Sequence, residues 1–343
     1  MPVRSNDDGN VEQDAPQTLI GWQGVRFLLP PEWNLTGFSL DRSNGYLKVD
    51  SPGSMFAQVK WTDPKYTQSR SVAEWAWRSW KTYRGGGAVA GGDPNLKQTL
   101  DAFLKDTAKA AKKSRSEFEC KVKPESEELA GQRMAHNFSW TGNGQGQGKI
   151  WYCRECKRVV IAQVVGAARD PVPAVASVMF SEMRDHGDDG WETWALFDLV
   201  IGVPSNFSLK AQKLMSGYLR LEFQRIGGEK LVVERWGLAD VALRRFSLGE
   251  WFEKTCPVRQ HAGRVAESEV NGHKAVMTSG SVKSPSAWAR ALAEGAATKN
   301  PALHYEAAAW SCPEANRIYA VQVWRGKQTV GLIDEVVARC ECH

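Results

Sequence analysis

The sequence predicts an α+β protein of two tandem repeats, each an antiparallel sheet flanked by helices. Three observations predict it. Residues 199–236 read as a second copy of residues 25–61: VRFLLPPEWNL, NGYLKV and FAQVKW are answered by LVIGVPSNFSL, SGYLRL and LVVERW. The match continues from SVAEW (71–75) to SLGEW (247–251). In each copy a run of strand-like segments comes before the helical patterns, which is an α+β order and not strict βαβ alternation.

Residues 1–17 are polar and aperiodic and read as a disordered or loosely docked arm. The first sandwich spans 18–190. It starts at Ile20, and Pro30-Pro31 turns the chain, because proline cannot continue a central strand. Segments 46–49 and 55–61 alternate as antiparallel strands around the turn Ser51-Pro-Gly-Ser54. Residues 72–83 read as a helix capped by Ser71, with Glu74 completing a capping box. An insertion follows at 84–115. It holds a glycine-rich hinge (84–92) and a helix opened by Asp93-Pro94. Leu96, Leu100, Phe103, Leu104, Ala108 and Ala111 share one face of that helix. Lys105, Lys109, Lys112, Lys113 and Arg115 crowd its far end, where cations suit the helix dipole.

Strands are then expected at 134–140 and 149–152 around a flexible loop 142–148, and at 159–165 after the turn CRECKR (153–158). A helix over 171–184 leads to an acidic junction at 186–190. The second sandwich, 191–343, repeats the order. Segments 271–279, 305–310 and 318–324 are strands, CPEANR (312–317) answers CRECKR, and 328–339 is the closing helix. Its own insertion, 284–297, reads as a short helix.

The order of elements, the turn from Pro30 to Trp33 echoed by Pro204 to Phe207, and the terminal helix resemble the PsbP-like α/β/α sandwich. That family includes extrinsic photosystem subunits and a Ran-binding transport factor. The resemblance implies a non-catalytic binding or assembly role, although the export leader of the photosynthetic members is not expected here.

Composition narrows function less than fold. The 343 residues are 42% hydrophobic and 24% charged, as in ordinary globular domains with real cores. A formal charge of +5 is too small to argue for nucleic acid. With no signal-peptide pattern and no membrane-length apolar run, a cytoplasmic protein with reduced thiols is expected. Fifteen tryptophans serve cores and contact surfaces alike.

The soft ligands are the best chemical lead. Cys153-x-x-Cys156 sits on a hairpin turn, where two thiolates can face one ion. The chain ends Cys340-x-Cys342-His343. A zinc site joining Cys153 and Cys156 to Cys340 and Cys342 or His343 would staple the halves. A second pattern recurs: Cys153 and His186 hold the repeat positions of Cys312 and His343. A Cys–His pair in contact makes a thiolate nucleophile, while a lone His there caps a helix end. Cys312 and Cys342 could also form a disulfide if their distance allows. Residues 142–149 fail as a phosphate loop, since Asn143 replaces its first Gly, Ile150 its Ser/Thr, and no helix follows. The acidic set Asp188, Asp189 and Glu192 beside His186 reads as a solvated linker. No hydrolase, zincin, dinucleotide or kinase motif is present.

The expected function is therefore a non-catalytic binding or assembly protein. Its loops and inserted basic helix meet a protein partner through Trp75, Trp77, Trp80, Lys105, Lys109, Lys112 and Lys113. The alternatives are a zinc- or thiol-dependent protein and an enzyme with a cleft between the halves.

Overall fold

Alternation of buried and exposed residues sets most of the chain into strands. The computed structural model describes residues 17–41, 44–62, 94–125, 133–187, 189–225, 228–256, 263–283, 302–326 and 329–342. Two compact units result, Met1–Gly187 and Asp188–His343.

The first unit contains β1 (Thr18–Trp22), β2 (Val25–Leu29), β3 (Asn34–Phe38), β4 (Asn44–Asp50), β5 (Phe56–Thr62), β6 (Glu119–Pro124), β7 (Arg133–Gly142), β8 (Gly144–Cys153) and β9 (Val159–Gly166). Its helices among the described residues are α1 (Leu96–Lys113) and α2 (Val172–Ser181). Strands β3 to β9 form a seven-stranded antiparallel sheet in the order β3-β4-β5-β9-β8-β7-β6, and β1 and β2 pair as a hairpin.

The second unit contains β10 (Trp191–Leu196), β11 (Leu199–Pro204), β12 (Ser208–Met215), β13 (Tyr218–Gln224), β14 (Lys230–Gly237), β15 (Ala266–Val270), β16 (His273–Lys283), β17 (Ala302–Cys312), β18 (Arg317–Arg325) and β19 (Cys340–Glu341). Its helices among the described residues are α3 (Ala239–Ala242), α4 (Leu248–Thr255) and α5 (Leu332–Val337). Here the seven-stranded order is β12-β13-β14-β18-β17-β16-β15, the same path through the sheet as in the first unit. Strand β11 pairs with β10 on one side and β19 on the other.

The parallel extends to detail. Trp33 N–H donates to Pro30 O at 3.2 Å, and Phe207 N–H donates to Pro204 O at 2.9 Å. Both aromatics are buried. A register shift falls between Leu35 and Gly37 in one unit and between Leu209 and Ala211 in the other. A bulge repeated at the same place bends both edge strands alike.

The expectation of helix-flanked α+β sandwiches is overturned. Strand takes 52% of the structure and helix 18%. The described helices are short and touch the sheets locally: α1 lies on β7 and β8, and α2 on β2, β8 and β9. In the second unit α4 lies on β16 and β17, and α5 on β11, β17 and β18. This is a mainly β protein. One reason is that glycine does not break β8. Gly146 and Gly148 stand opposite Trp140 and Phe138 in the ladder, and a Cβ on them would meet those rings at 2.3 and 2.2 Å. The aromatic rings fill the space the glycines leave, so the expected loop 142–148 is strand. Edge strands β6 and β15 are also added, almost wholly exposed and charged. A strand with both faces in water shows no apolar period, and charge there deters edge-to-edge pairing.

The sheet register also corrects one correspondence. Gln163 of β9 faces Gln58, and its counterpart Gln322 of β18 faces Val232. Counting from them, Trp61 matches Arg235, and not Trp236 as the sequence comparison had it. One residue of slip moves a side chain to the other face. Trp61 is buried, whereas Trp236 packs edge-on against Trp251 of α4 at 5.7 Å.

Helix α1 begins at Leu96. Asn95, and not Asp93, caps it by accepting the Gln98 N–H at 3.0 Å. Leu96, Leu100 and Leu104 insert between helix and sheet against Phe138, Trp140, Ile150 and Ile161. Each such side chain contributes roughly 1.5–3 kcal/mol. The capping box expected at Ser71 lies outside the described residues, but its repeat partner is present. Ser247 Oγ accepts the Glu250 N–H, and Glu250 accepts the Ser247 N–H at 2.8 Å. The arm 1–16, the helix 72–83, the hinge 84–92 and the insertion 284–297 also lie outside the described residues.

Candidate metal centre

The turn from β8 to β9 is closed at both ends by backbone. Cys153 N–H donates to Arg158 O, and Lys157 N–H donates to Cys153 O, each at 2.9 Å. Lys157 adopts φ 62° to make this possible. The tight closure folds Cys156 back beside Cys153. The segment after α2 is brought to the same point by two devices. Arg26 and Arg184 exchange backbone hydrogen bonds of 2.9 Å. The buried Arg158 guanidinium donates to Gln23 O at 2.8 Å and to Asp185 O at 2.6 Å.

Four donors from two distant segments therefore converge. Ligand atoms of Cys153, Cys156, Asp185 and His186 all lie within 4.8 Å of one another. Cys153 Sγ is 3.8 Å from His186 Nδ1, and the Cys156 thiol donates to Asp185 Oδ2 at 3.3 Å. Asp185 Oδ1 is 3.4 Å from His186 Nδ1. The other ring nitrogen, Nε2, meets the Glu155 carboxylate at 3.0 Å. Both cysteines are buried and the Asp185 side chain has no exposure.

The electrostatics follow from this crowding. The hydrogen-bonding contact with the Cys156 side chain holds the Cys153 thiol down at about 6. The same contact, with burial, pushes Cys156 up. The hydrogen bond to Asp185 raises His186 to about 9 against the opposing effect of burial.

Two thiols, an imidazole and a carboxylate form a donor set that suits tetrahedral zinc, and a closed set of four protein ligands is the structural type. A carboxylate on the far nitrogen of a ligating histidine orients the ring and strengthens it as a ligand. Glu155 stands in that place.

The equivalent place in the second unit holds another group. His273, Cys312 and Cys342 are all buried, and their ligand atoms lie within 4.8 Å of one another. Cys342 Sγ is 3.3 Å from His273 Nε2. Burial, then the neighbouring Cys312, raises the Cys342 thiol to about 11. Neither Cys312 nor Cys342 is in a disulfide, nor is any other cysteine.

Of the residues singled out from sequence, the structure brings Cys153 to Cys156 and to His186 within the first unit, and Cys312 to Cys342 within the second. Cys340 is buried in β19 opposite Ile201, and burial raises its thiol. His343, Trp75, Trp77, Trp80 and Asp188 lie outside the described residues. Lys105, Lys109, Lys112 and Lys113 are exposed along α1, and Lys109 reaches Asp106 at 3.5 Å. Asp189 accepts the Trp191 N–H at 3.2 Å within its own turn.

Sequence reasoning missed Asp185 and His273. Asp185 had a signal, since it precedes the His already paired with Cys153. His273 had a weaker one: it follows Asn271-Gly272, a two-residue hairpin turn with both φ positive, which fixes where the next side chain goes.

Fold and site thus define a duplicated, mainly β protein with a soft-ligand cluster at the same hairpin of each copy. No protein-family model matches the chain, and no curated protein matches it. No described helix is long and apolar enough to cross a membrane.

Proposed function

We propose that the protein is a non-catalytic, zinc-stapled β scaffold. The carrying observation is the convergence of Cys153, Cys156, Asp185 and His186 within 4.8 Å, with Glu155 behind the histidine. Four protein donors use the coordination positions of a tetrahedral ion, so the metal's role is to hold the β8–β9 turn to the segment after α2. Metal binding of this kind adds to folding free energy and releases protons from the thiols. Elemental analysis of full-length protein, refolded with zinc under reducing conditions, tests the reading. We expect a bound equivalent that is lost in Cys153→Ser/Cys156→Ser. A wild-type chain that holds no more zinc than this double variant overturns it.

A second element of function is favoured by α1. Its apolar face is committed to the sheet, and Lys105, Lys109, Lys112 and Lys113 face outward. We read this lysine row as the contact face for an acidic protein partner. Reversing all four charges should leave the fold intact and abolish binding of a partner recovered with the wild type. Undiminished binding would remove the lysines from the interface.

A further inference from the structure

The two hairpin sites are related by position but not by ligand set. Glu314 follows Cys312 by two residues, as Glu155 follows Cys153. Asn316 takes φ 51° where Lys157 takes φ 62°. The turn has therefore kept its shape. Its second cysteine has not been kept: Ala315 stands in the place of Cys156. Two other residues supply donors instead. Cys342 arrives on the segment following β19, which is held in place by its pairing with β11. The Asn271 side chain also donates to Cys340 O at 2.9 Å, and the Tyr319 hydroxyl donates to Cys342 O at 3.4 Å. His273 arrives from the β15–β16 turn, whereas the four donors of the first cluster come from the β8–β9 turn and the segment after α2. Its Nε2 faces Cys342 Sγ at 3.3 Å. Its Nδ1 lies 3.9 Å from Glu314 Oε2, and the same carboxylate oxygen accepts from Cys312 at 3.5 Å.

We propose that His273, Cys312 and Cys342 form a second zinc site, in which the three donors brought together among the described residues leave one coordination position for an exchangeable small ligand. Three considerations carry this. The donors come from three separate segments and are buried together, so no local turn preference explains their meeting. Two sulfurs and one imidazole are the donor types zinc selects, and three protein donors leave a four-coordinate ion one position for a ligand from solution. Finally, a glutamate again stands behind the histidine, although this histidine comes from a different part of the chain, so the outer carboxylate recurs with a new ligand. Water, a small anion or an external thiol is the class of ligand that fits the open position. With one donor fewer than the first cluster, the second ion is the more easily removed.

The inference concerns residues of the second unit alone, so it stands or falls apart from the first site. Full-length wild type is loaded with zinc, dialysed against a weak chelator, and assayed for metal alongside Cys153→Ser/Cys156→Ser, Cys312→Ser/Cys342→Ser and His273→Gln. Circular dichroism confirms that each variant is folded. We expect two equivalents in the loaded wild type, and loss of one specifically in the Cys312/Cys342 and His273 variants. The weakly held equivalent should be theirs. Cobalt(II) then replaces zinc in Cys153→Ser/Cys156→Ser, and imidazole is added. A changed visible spectrum is expected, because imidazole enters the open position. If Cys153→Ser/Cys156→Ser holds no metal, or if His273→Gln keeps the full wild-type content, the second site does not exist. A cobalt spectrum indifferent to imidazole overturns the open position.

Discussion

The sulfur of Cys153 and Nδ1 of His186 stand 3.8 Å apart although 33 residues separate them in the chain. Neither residue achieves this by itself. Closure of the β8–β9 turn aims the thiol, and the Arg26–Arg184 bridge brings in the histidine. Glu155 then fixes the ring through Nε2. Replacing Glu155 by Gln should therefore weaken zinc binding at the first site by about 10–100-fold while leaving its stoichiometry unchanged. Competition titration with a chromophoric chelator reads this directly, and an unaltered affinity would detach Glu155 from the site.

Removal of the metal should lower stability in proportion to what the staple contributes. For units of this size each kcal/mol shifts Tm by roughly 2–4 °C. A strong chelator is expected to lower the melting temperature of the wild type by several such steps. In Cys153→Ser/Cys156→Ser only the smaller effect of the second site should remain. Equal shifts in both proteins would place the stabilising ion elsewhere.

The glycines of β8 provide a test of packing. A Cβ at Gly148 would sit 2.2 Å from Phe138 Cζ and 2.6 Å from Ala162 O. The second contact is backbone and cannot swing aside. Gly148→Ala should cost about 1–3 kcal/mol by overpacking. Gly217→Ala has no neighbour within 4 Å and should change stability by no more than about 0.5 kcal/mol. Urea unfolding of the two variants separates these outcomes.

Glu229 should make the second unit acid-sensitive. Burial opposes its charge, but Thr329 Oγ1 at 2.6 Å, the Gly326 N–H at 2.5 Å and Arg225 together hold its carboxyl below the ordinary range. A lowered folded-state pKa means that the stabilisation is complete above the unfolded value of about 4.3 and is lost as pH falls through the folded one. Glu229→Gln should cost about 1–3 kcal/mol at neutral pH. It should also flatten the acid limb of the stability profile. A variant with the wild-type acid limb would assign that sensitivity to other carboxylates.

Much of the architecture was legible because hydrophobic alternation is local. It marks which residues of a strand face inward, and two copies of one pattern imply two copies of one sheet. The strand order confirms this unit by unit. The same reasoning erred where the local signal was ambiguous. Glycine at 146 and 148 looks like a loop until Trp140 and Phe138 are seen across the ladder. Strands β6 and β15 have no buried face to announce them. Trp61 and Trp236 end similar segments, but only strand pairing shows that they point to opposite faces.

The sequence by itself determined the duplication and the main strands and marked Cys153 and His186 as a candidate pair, because each follows from periodicity or from position within the repeat; that the two meet was decided by the fold. Tertiary structure alone decided that Asp185 completes the first cluster and that His273 enters the second. A ligand set is assembled by the closure of turns and the register of distant strands, and those depend on the packing of the whole sheet rather than on spacing along the chain.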